Sequence, residues 1–222
     1  MKRYTFLTLI MLTLCPTIIW AKRPFYKNHA FGMTGGATFS SMSFSPVSVQ
    51  QKMNIGKTFG LSYRYIEERY FGVQIELLYT DRGWSDELKN FPSFNNYSRT
   101  LSYIELPILS HIHFGNQRVR GFVNLGPKFG YFLNEKVETN INEPLPGYDT
   151  EHQTLPISKK LDYGITGGAG IELKFGKNAF AIEGRYYFGL GDIFPNEKGN
   201  TFETSSNQHI SVAATYFFYL RR

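Results

Sequence analysis

The sequence predicts an all-β protein: an eight-stranded antiparallel up-and-down transmembrane β-barrel with short periplasmic turns and long outer loops. Three observations carry this prediction. The chain of 222 residues begins with an export signal, apolar and polar residues then alternate along eight segments, and the connections between these segments are short and long in turn. Bacterial barrels that cross the outer membrane have this layout and an even number of strands.

Residues 1–21 are expected to be a signal peptide. Met1–Arg3 form a short basic start, Phe6–Trp20 form an apolar stretch, and a small residue ends the segment. These are the parts of a secretory signal, and the apolar stretch is shorter than the roughly 20 residues that a spanning helix needs. The single cysteine, Cys15, would leave with this segment. Residues 22–222 are then one barrel domain, without thiols for disulfides or metal ligation.

Composition excludes one class of partner. The formal net charge is +6, and aromatic residues make up 17% of the chain. A basic protein can bind nucleic acid, but the lysines and arginines here are scattered singly. Nucleic-acid binding needs them clustered on one face or along one stripe. We therefore expect no nucleic acid among the partners.

Alternation is clearest from Phe71 to Tyr79, where the odd positions are large and apolar and most even positions are small or polar. A period of two residues is the pattern of a strand with two unlike faces. Every predicted strand reaches the about 9–11 residues that a tilted membrane strand needs. The strands are predicted near residues 30–40, 55–66, 70–81, 101–114, 119–132, 160–175, 179–190 and 208–220.

The connections alternate in length. Tight turns are expected around residues 67–69, 115–118 and 176–178. The other connections are long, polar and marked by prolines, as expected for outer loops. They are predicted at residues 41–54, 82–100, 133–159 and 191–207.

Side-chain size decides which face of the strands looks outward. A soluble lipocalin-like barrel and a periplasmic β-sandwich are the alternatives, and both would bury the apolar face. An eight-stranded barrel is only wide enough inside for ordinary side chains, so it cannot hold this many rings. We expect the aromatic face to contact lipid. Gly164, Gly168 and Gly170 of the segment GITGGAGIEL should line the lumen and leave room for longer charged side chains from other strands.

Aromatic girdles are expected at both membrane interfaces, where such barrels place them. The rings toward the short turns are Tyr63, Tyr65, Phe114, Phe175, Phe180 and Phe218, and those toward the long loops are Phe39, Tyr79, Tyr131, Tyr163 and Phe188.

The inward face carries charges of both signs. Buried charges persist only when they are paired, so we predict a structural network that fills the lumen. Within it, Lys128 and Asp162 are expected to pair, and a cation such as Arg185 is expected beside Glu76 and Glu105. Open aqueous channels need about 16 strands or more, so a pore is not expected. The predicted network comprises Arg64, Glu76, Glu105, Lys128, Asp162, Glu172, Glu183 and Arg185.

The sequence contains one candidate catalytic motif. His209 and Ser211 share a face of the last predicted strand, and an imidazole beside a hydroxyl can activate a serine nucleophile. The pair resembles the His-x-Ser element of outer-membrane lipid A deacylases, but an acidic partner cannot be assigned, although Glu203 is nearby. His111 and His113 form at most two ligands of a metal site. We expect no enzymatic activity, no cofactor and no metal.

Several segments together resemble the PorT-like outer-membrane β-barrel domain family, which is common in Bacteroidota. The resemblance covers about residues 25–222. It implies an integral outer-membrane barrel, and the namesake branch is associated with a secretion machine that exports proteins with C-terminal sorting domains. It supplies no catalytic or binding residues. The segments are FGVQIELLYTDRGW from Phe71, LSYIELPIL from Leu101, YGITGGAGIEL from Tyr163 and IEGRYYFGLGDIF from Ile182.

The expected partners follow from this interpretation. They are outer-membrane lipid, the barrel-insertion machinery during biogenesis, and a protein partner in the cell envelope. The long loops or the periplasmic turns would serve adhesion, interaction or secretion. An outer-membrane lipid-modifying enzyme and a small pore are the alternatives.

Overall fold

The computed structural model describes residues 27–45, 51–86, 97–140, 156–157, 159–192 and 204–221. Eight antiparallel strands in chain order close into one barrel, as the sequence predicts. The predicted signal peptide, residues 1–21, lies outside the described residues. Within the described part, no helix is long and apolar enough to cross a membrane. The strands are β1 (Asn28–Ser45), β2 (Gln51–Ile66), β3 (Phe71–Asp86), β4 (Tyr97–Gly115), β5 (Val119–Thr139), β6 (Leu161–Phe175), β7 (Asn178–Asp192) and β8 (Thr204–Arg221).

Pairing between the first and last strands closes the barrel. Phe31 on β1 lies opposite Tyr63 on β2 and opposite Phe218 on β8. Each strand therefore has a hydrogen-bonded neighbour on both sides. In a bilayer no water can satisfy a free strand edge, so closure is what allows a sheet to span it.

The short connections meet at one end of the barrel, which we call the turn end. The opposite end, with the longer connections, is the outer end. Tight turns join β2 to β3, β4 to β5 and β6 to β7. Gly115 and Gly176 have φ values of 122° and 63° there, a backbone conformation that only glycine adopts without cost.

The orientation predicted from side-chain size is confirmed. Phe71 and Ile75 are 39% and 38% exposed on the outer wall, and the intervening Gln74 is buried. The outward rings also form the contacts of a girdle, such as Phe59 stacked on Tyr79 with ring centroids 5.1 Å apart. A lipocalin-like fold would have enclosed these side chains, so that alternative does not hold.

Most strands extend further toward the outer end than the sequence predicts. Among them, β3 continues to Asp86, β4 begins at Tyr97, and β5 continues to Thr139, so parts of the predicted loops 82–100 and 133–159 are strand. Pairs such as Ser85 with Ser98 continue the ladder. The hydrogen-bonded ladder continues through these extensions, and inward residues on them, such as Trp84 and Tyr97, are buried.

The interior holds rings as well as small and charged residues. Tyr103, Phe122, Tyr187, Phe217 and Tyr219 are all buried. The expected division, with rings outside and small or charged residues inside, was therefore incomplete.

The glycines of β6 make room both for the backbone of β7 and for interior side chains. A Cβ at position 170 would lie 2.3 Å from the Ile182 carbonyl oxygen and 2.4 Å from Phe122, and one at position 164 would lie 2.2 Å from the Phe188 carbonyl oxygen and 2.8 Å from Tyr187. At position 168 the Gly184 carbonyl oxygen would lie at 2.5 Å and Glu183 Oε1 at 2.9 Å.

This packing predicts that Gly170→Ala destabilises the barrel. The added methyl would meet the Phe122 ring and the Ile182 carbonyl oxygen at 2.3 Å, and overpacking costs about 1–3 kcal/mol. Gly35→Ala is the matched control, because a Cβ there meets no atom within 4 Å. The measurement is urea-induced unfolding in lipid vesicles, and equal midpoints for the two variants would contradict the packing.

Candidate functional site

The barrel interior is layered from the turn end to the outer end. Two apolar clusters enclose a zone of buried charges. The lower cluster, at the turn end, is Ala30, Ile66, Phe122, Ala179, Ala181, Phe217 and Tyr219. The upper cluster, at the outer end, is Met42, Trp84, Tyr97, Leu101 and Tyr103, with Phe132 and Ile157 packed against it.

Arg64 anchors the lower part of the charged zone. Its guanidinium forms a buried ion pair with Glu172 across the lumen. It also donates to Gln74 Oε1 at 2.7 Å and lies 4.0 Å from the centroid of the Phe217 ring. Tyr219 donates its hydroxyl to Glu172. Charge pairing and ring packing together hold this guanidinium in place.

Arg185 forms the middle of the zone. Its Nη1 donates to Glu76 Oε2 at 2.7 Å, and its Nη2 donates to Glu183 Oε2 at 2.8 Å. The structure thus places a cation beside Glu76, where the sequence led us to expect one. Gln74 donates to the same Glu76 carboxylate, which links this group to Arg64.

Arg82 and Lys128 form the upper part. Arg82 contacts Asp162 at 2.5 Å and Glu105 at 3.2 Å, and Lys128 contacts Glu105 at 2.9 Å. The predicted pair of Lys128 with Asp162 is therefore wrong, because each takes a different partner. Arg82 was assigned to a loop, and its place on the extended β3 is what lets it reach Asp162.

The two proposed catalytic residues lie inside the barrel. His209 is 5% exposed, and its Nε2 is 3.0 Å from Lys128 Nζ, which also lies 3.8 Å from the Tyr187 ring centroid. Ser211 lines a small interior cavity with Arg185. The two residues share a face of β8, as predicted, but that face is enclosed. The other imidazole nitrogen, Nδ1, has no hydrogen-bond partner.

The cavity between the middle and upper groups measures about 20 Å³. That is room for about one water molecule. It is bordered by threonines, by Glu76 and Glu105, and by Lys128. An interior filled to this degree favours a plug over a conduit.

His111 and His113 stack in the lumen near the turn end, with ring centroids 5.3 Å apart. His111 Nδ1 is 2.8 Å from Asn124 Oδ1. Among the described residues, no group of three or more potential ligands could hold a metal ion. The contacts that the structure gives these two histidines are ring stacking and a hydrogen bond to Asn124.

Sequence reasoning missed Arg82, Arg99 and the interior tyrosines. Arg82 continues the even positions of β3 after Glu76, Leu78 and Thr80, so extending the alternation would have found it. Arg99 pairs with Glu135 at 2.6 Å near the outer end. The same signal marks Tyr187, which continues the odd positions of β7 after Glu183 and Arg185.

Residues 21–195 match the family described as "Outer membrane protein beta-barrel domain", and the chain belongs to this family. The protein is therefore an outer-membrane β-barrel. No curated protein matches the chain.

Three solved structures are similar to the chain to different degrees. OprG from Pseudomonas aeruginosa superposes with a TM-score of 0.54 at 10% identity, covering 89% of this chain and 97% of that chain. Ail, the attachment invasion locus protein of Yersinia pestis, gives 0.44 at 16% identity, with 85% and 98% covered. The outer membrane enzyme PagL gives 0.44 at 11%, with 84% and 97% covered. The similarity to OprG concerns the fold alone. The TM-scores of Ail and PagL are lower, and no argument is based on those two structures.

The charge network predicts a large effect of Arg185→Ala. The change leaves Glu76 and Glu183 buried without their cation, and breaking a buried pair in this way costs about 3–5 kcal/mol. Neutralising all three residues with glutamine should recover most of that loss. Urea-induced unfolding in lipid vesicles, followed by tryptophan fluorescence, measures both effects.

Lys57→Gln serves as the control for that series. Lys57 is exposed and lies 3.9 Å from Asp81, and such surface pairs contribute about 0–1 kcal/mol. If Arg185→Ala lost no more stability than Lys57→Gln, the network would not support the barrel.

Proposed function

We propose that this outer-membrane barrel acts without catalysis, as a rigid support for a binding surface at its outer end. The observation that carries the proposal is the filled interior. Paired charges and rings occupy the lumen between two apolar clusters. A barrel filled in this way offers its ends, and not its bore, to other molecules.

The small-pore alternative is disfavoured by the same observation. A passage for solutes would have to cross both apolar clusters and separate Arg185 from Glu76. Eight strands leave an interior just wide enough for side chains. The interior cavity is also close to the size of one water molecule.

The outer end provides a surface suited to binding. Residues 133–138 of β5 extend past the start of β6, whose first pair joins Leu161 to Tyr131. Within the described residues they ladder with β4 alone. Leu133 and Val137 are 46% and 44% exposed there. An exposed strand edge with apolar side chains is a template for an added strand or a docked surface.

The resemblance to PorT-like barrels adds a more specific version of this role, as an accessory of a secretion machine. Adhesion is the other version. Both use the ends of the barrel, and both fit a rigid, plugged scaffold that carries its contacts on the connections between strands.

A photo-crosslinking experiment tests the proposal. A photoreactive amino acid replaces Val137 at the outer end in one variant and Ile165, on the lipid-facing wall, in the matched control. After irradiation of whole cells, we expect a protein adduct at position 137 and none at 165. Mass spectrometry then identifies the partner. The test is repeated at two more outer positions, Leu133 and Lys136. The absence of adducts at all of these positions would overturn an interaction role for this surface.

The lipid-modifying enzyme is the second candidate function, and the shared face of His209 and Ser211 is what favours it. Enclosure of both residues and the contact of His209 with Lys128 favour a structural role. We expect His209→Ala and Ser211→Ala to leave the lipid A profile of the outer membrane identical to that of the parent, as read by mass spectrometry. A change in the number of lipid A acyl chains in either variant, such as the return of a chain that a deacylase removes, would support the enzyme instead.

A further inference from the structure

The turn end of the barrel is strongly basic. Among the described residues, seven cations stand there against three carboxylates, Glu67, Glu68 and Glu172. Each of the three tight turns has a cation in it or at the adjoining strand end, as do the start of β1 and the end of β8, so the charge encircles the rim. The cations are Lys27, Arg69, Arg118, Arg120, Lys174, Lys177 and Arg221.

Four of these cations belong to two neighbouring turns. The Lys174 backbone N–H donates to the Arg118 carbonyl oxygen at 2.7 Å, which joins the turn after β4 to the turn after β6. The carboxylate in register with Arg120 is Glu172, and it points into the lumen toward Arg64. Arg118 and Lys177 are exposed, and the ion pairs among the described residues involve other side chains. These two cations have room for an external anion.

An apolar groove of about 590 Å³ lies on the lipid-facing side of β6 and β7, next to these turns. Its floor is formed by two small residues that pair across the strands, Ala169 and Gly184. A Cβ at Gly184 would meet no atom within 4 Å, so the depression is open to the bilayer. Its walls are Ile171, Leu173, Phe180 and Ile182.

The distance from the turn to the far end of the groove matches the thickness of one leaflet. Phe175 pairs with Asn178 at the turn, and the floor at Ala169 lies six residues further along β6. Six residues span roughly 20 Å along a strand, which a tilt of about 45° reduces to about 14 Å. This is close to half of the about 30 Å hydrocarbon thickness of a bilayer. An acyl chain in the groove would therefore place its headgroup at the level of Arg118 and Lys177.

A second apolar groove lies at the same end, but the cation beside it already has a partner. The groove measures about 410 Å³ and is lined by aromatic and aliphatic residues around Tyr65. The cation beside it, Lys27, already has a carboxylate, since its Nζ lies 2.5 Å from Glu67 Oε1. Their hydrogen bond lowers the pKa of Glu67 and raises the pKa of Lys27. Beside the groove on β6 and β7, Arg118 and Lys177 take part in none of the ion pairs found among the described residues.

We propose that the groove between β6 and β7 and the cations beside it form a binding site for an anionic phospholipid of the surrounding bilayer. Arg118 and Lys177 bind the headgroup phosphate, and one acyl chain lies over Ala169 and Gly184. Lipid is favoured over an acidic periplasmic protein because the apolar groove continues directly from the cations into the membrane-facing wall. Basic residues near a bilayer surface attract anionic headgroups.

The test uses the full barrel in a zwitterionic detergent, titrated with dioleoyl phosphatidylglycerol or with dioleoyl phosphatidylcholine, with bound lipid counted by native mass spectrometry. We expect one phosphatidylglycerol to bind in clear preference to phosphatidylcholine. Arg118→Gln combined with Lys177→Gln should weaken phosphatidylglycerol binding about thirtyfold. It should weaken phosphatidylcholine binding much less, because the choline cation of that lipid offsets the charge of its phosphate. Gly184→Leu should fill the groove and weaken the binding of both lipids.

Two matched controls are available in the chain. Lys52→Gln with Lys57→Gln removes two exposed cations from the outer end, and Gly35→Leu adds the same side chain at another open outward glycine. Both should bind lipid as the parent does, and heat-modifiable gel mobility verifies the fold of each variant.

No preference for phosphatidylglycerol in the parent, or an unchanged affinity in the Arg118 and Lys177 variant, would overturn the proposal. The second result would point to an acidic protein as the partner of the rim. If Gly184→Leu does not fold, the charge variant alone decides.

Discussion

The need to satisfy every backbone hydrogen bond where water is absent controls this structure. It requires the sheet to close, and β1 therefore lies between β2 and β8. Closure with eight strands then fixes a narrow bore, and the bore fixes what stands inside it. The outward face is left to apolar and aromatic side chains because lipid accepts them at no cost.

The narrow bore explains the layered interior. Charges that point into it have no bulk water, so each must find a partner across the lumen, as Arg64 does with Glu172 and Arg185 does with Glu76. Rings of the two apolar clusters close the zone at either end. A scaffold filled in this way is stiff, and its outer surface and its two ends are the parts available to other molecules.

For most strands, the sequence predicts which residues face outward, because apolar and polar residues alternate along the strand. It does not predict the strand ends. Residues such as Ser85 and Ser98 carry no apolar signal, and their place in the ladder follows from the neighbouring strand. The size and hydropathy of a ring do not tell an inward from an outward position, and only the alternation places Tyr187 and Tyr219 inside.

By itself the sequence determined the class of fold, the number and order of the strands, the outward position of residues such as Phe71 and Ile75, and most of the charged residues that face inward. These properties depend on a period of two residues and on turn composition, which are local. The tertiary structure alone decided which charges meet. Arg82, and not Lys128, pairs with Asp162, because contacts across a lumen depend on the stagger and closure of all eight strands, and these are set by the whole barrel at once.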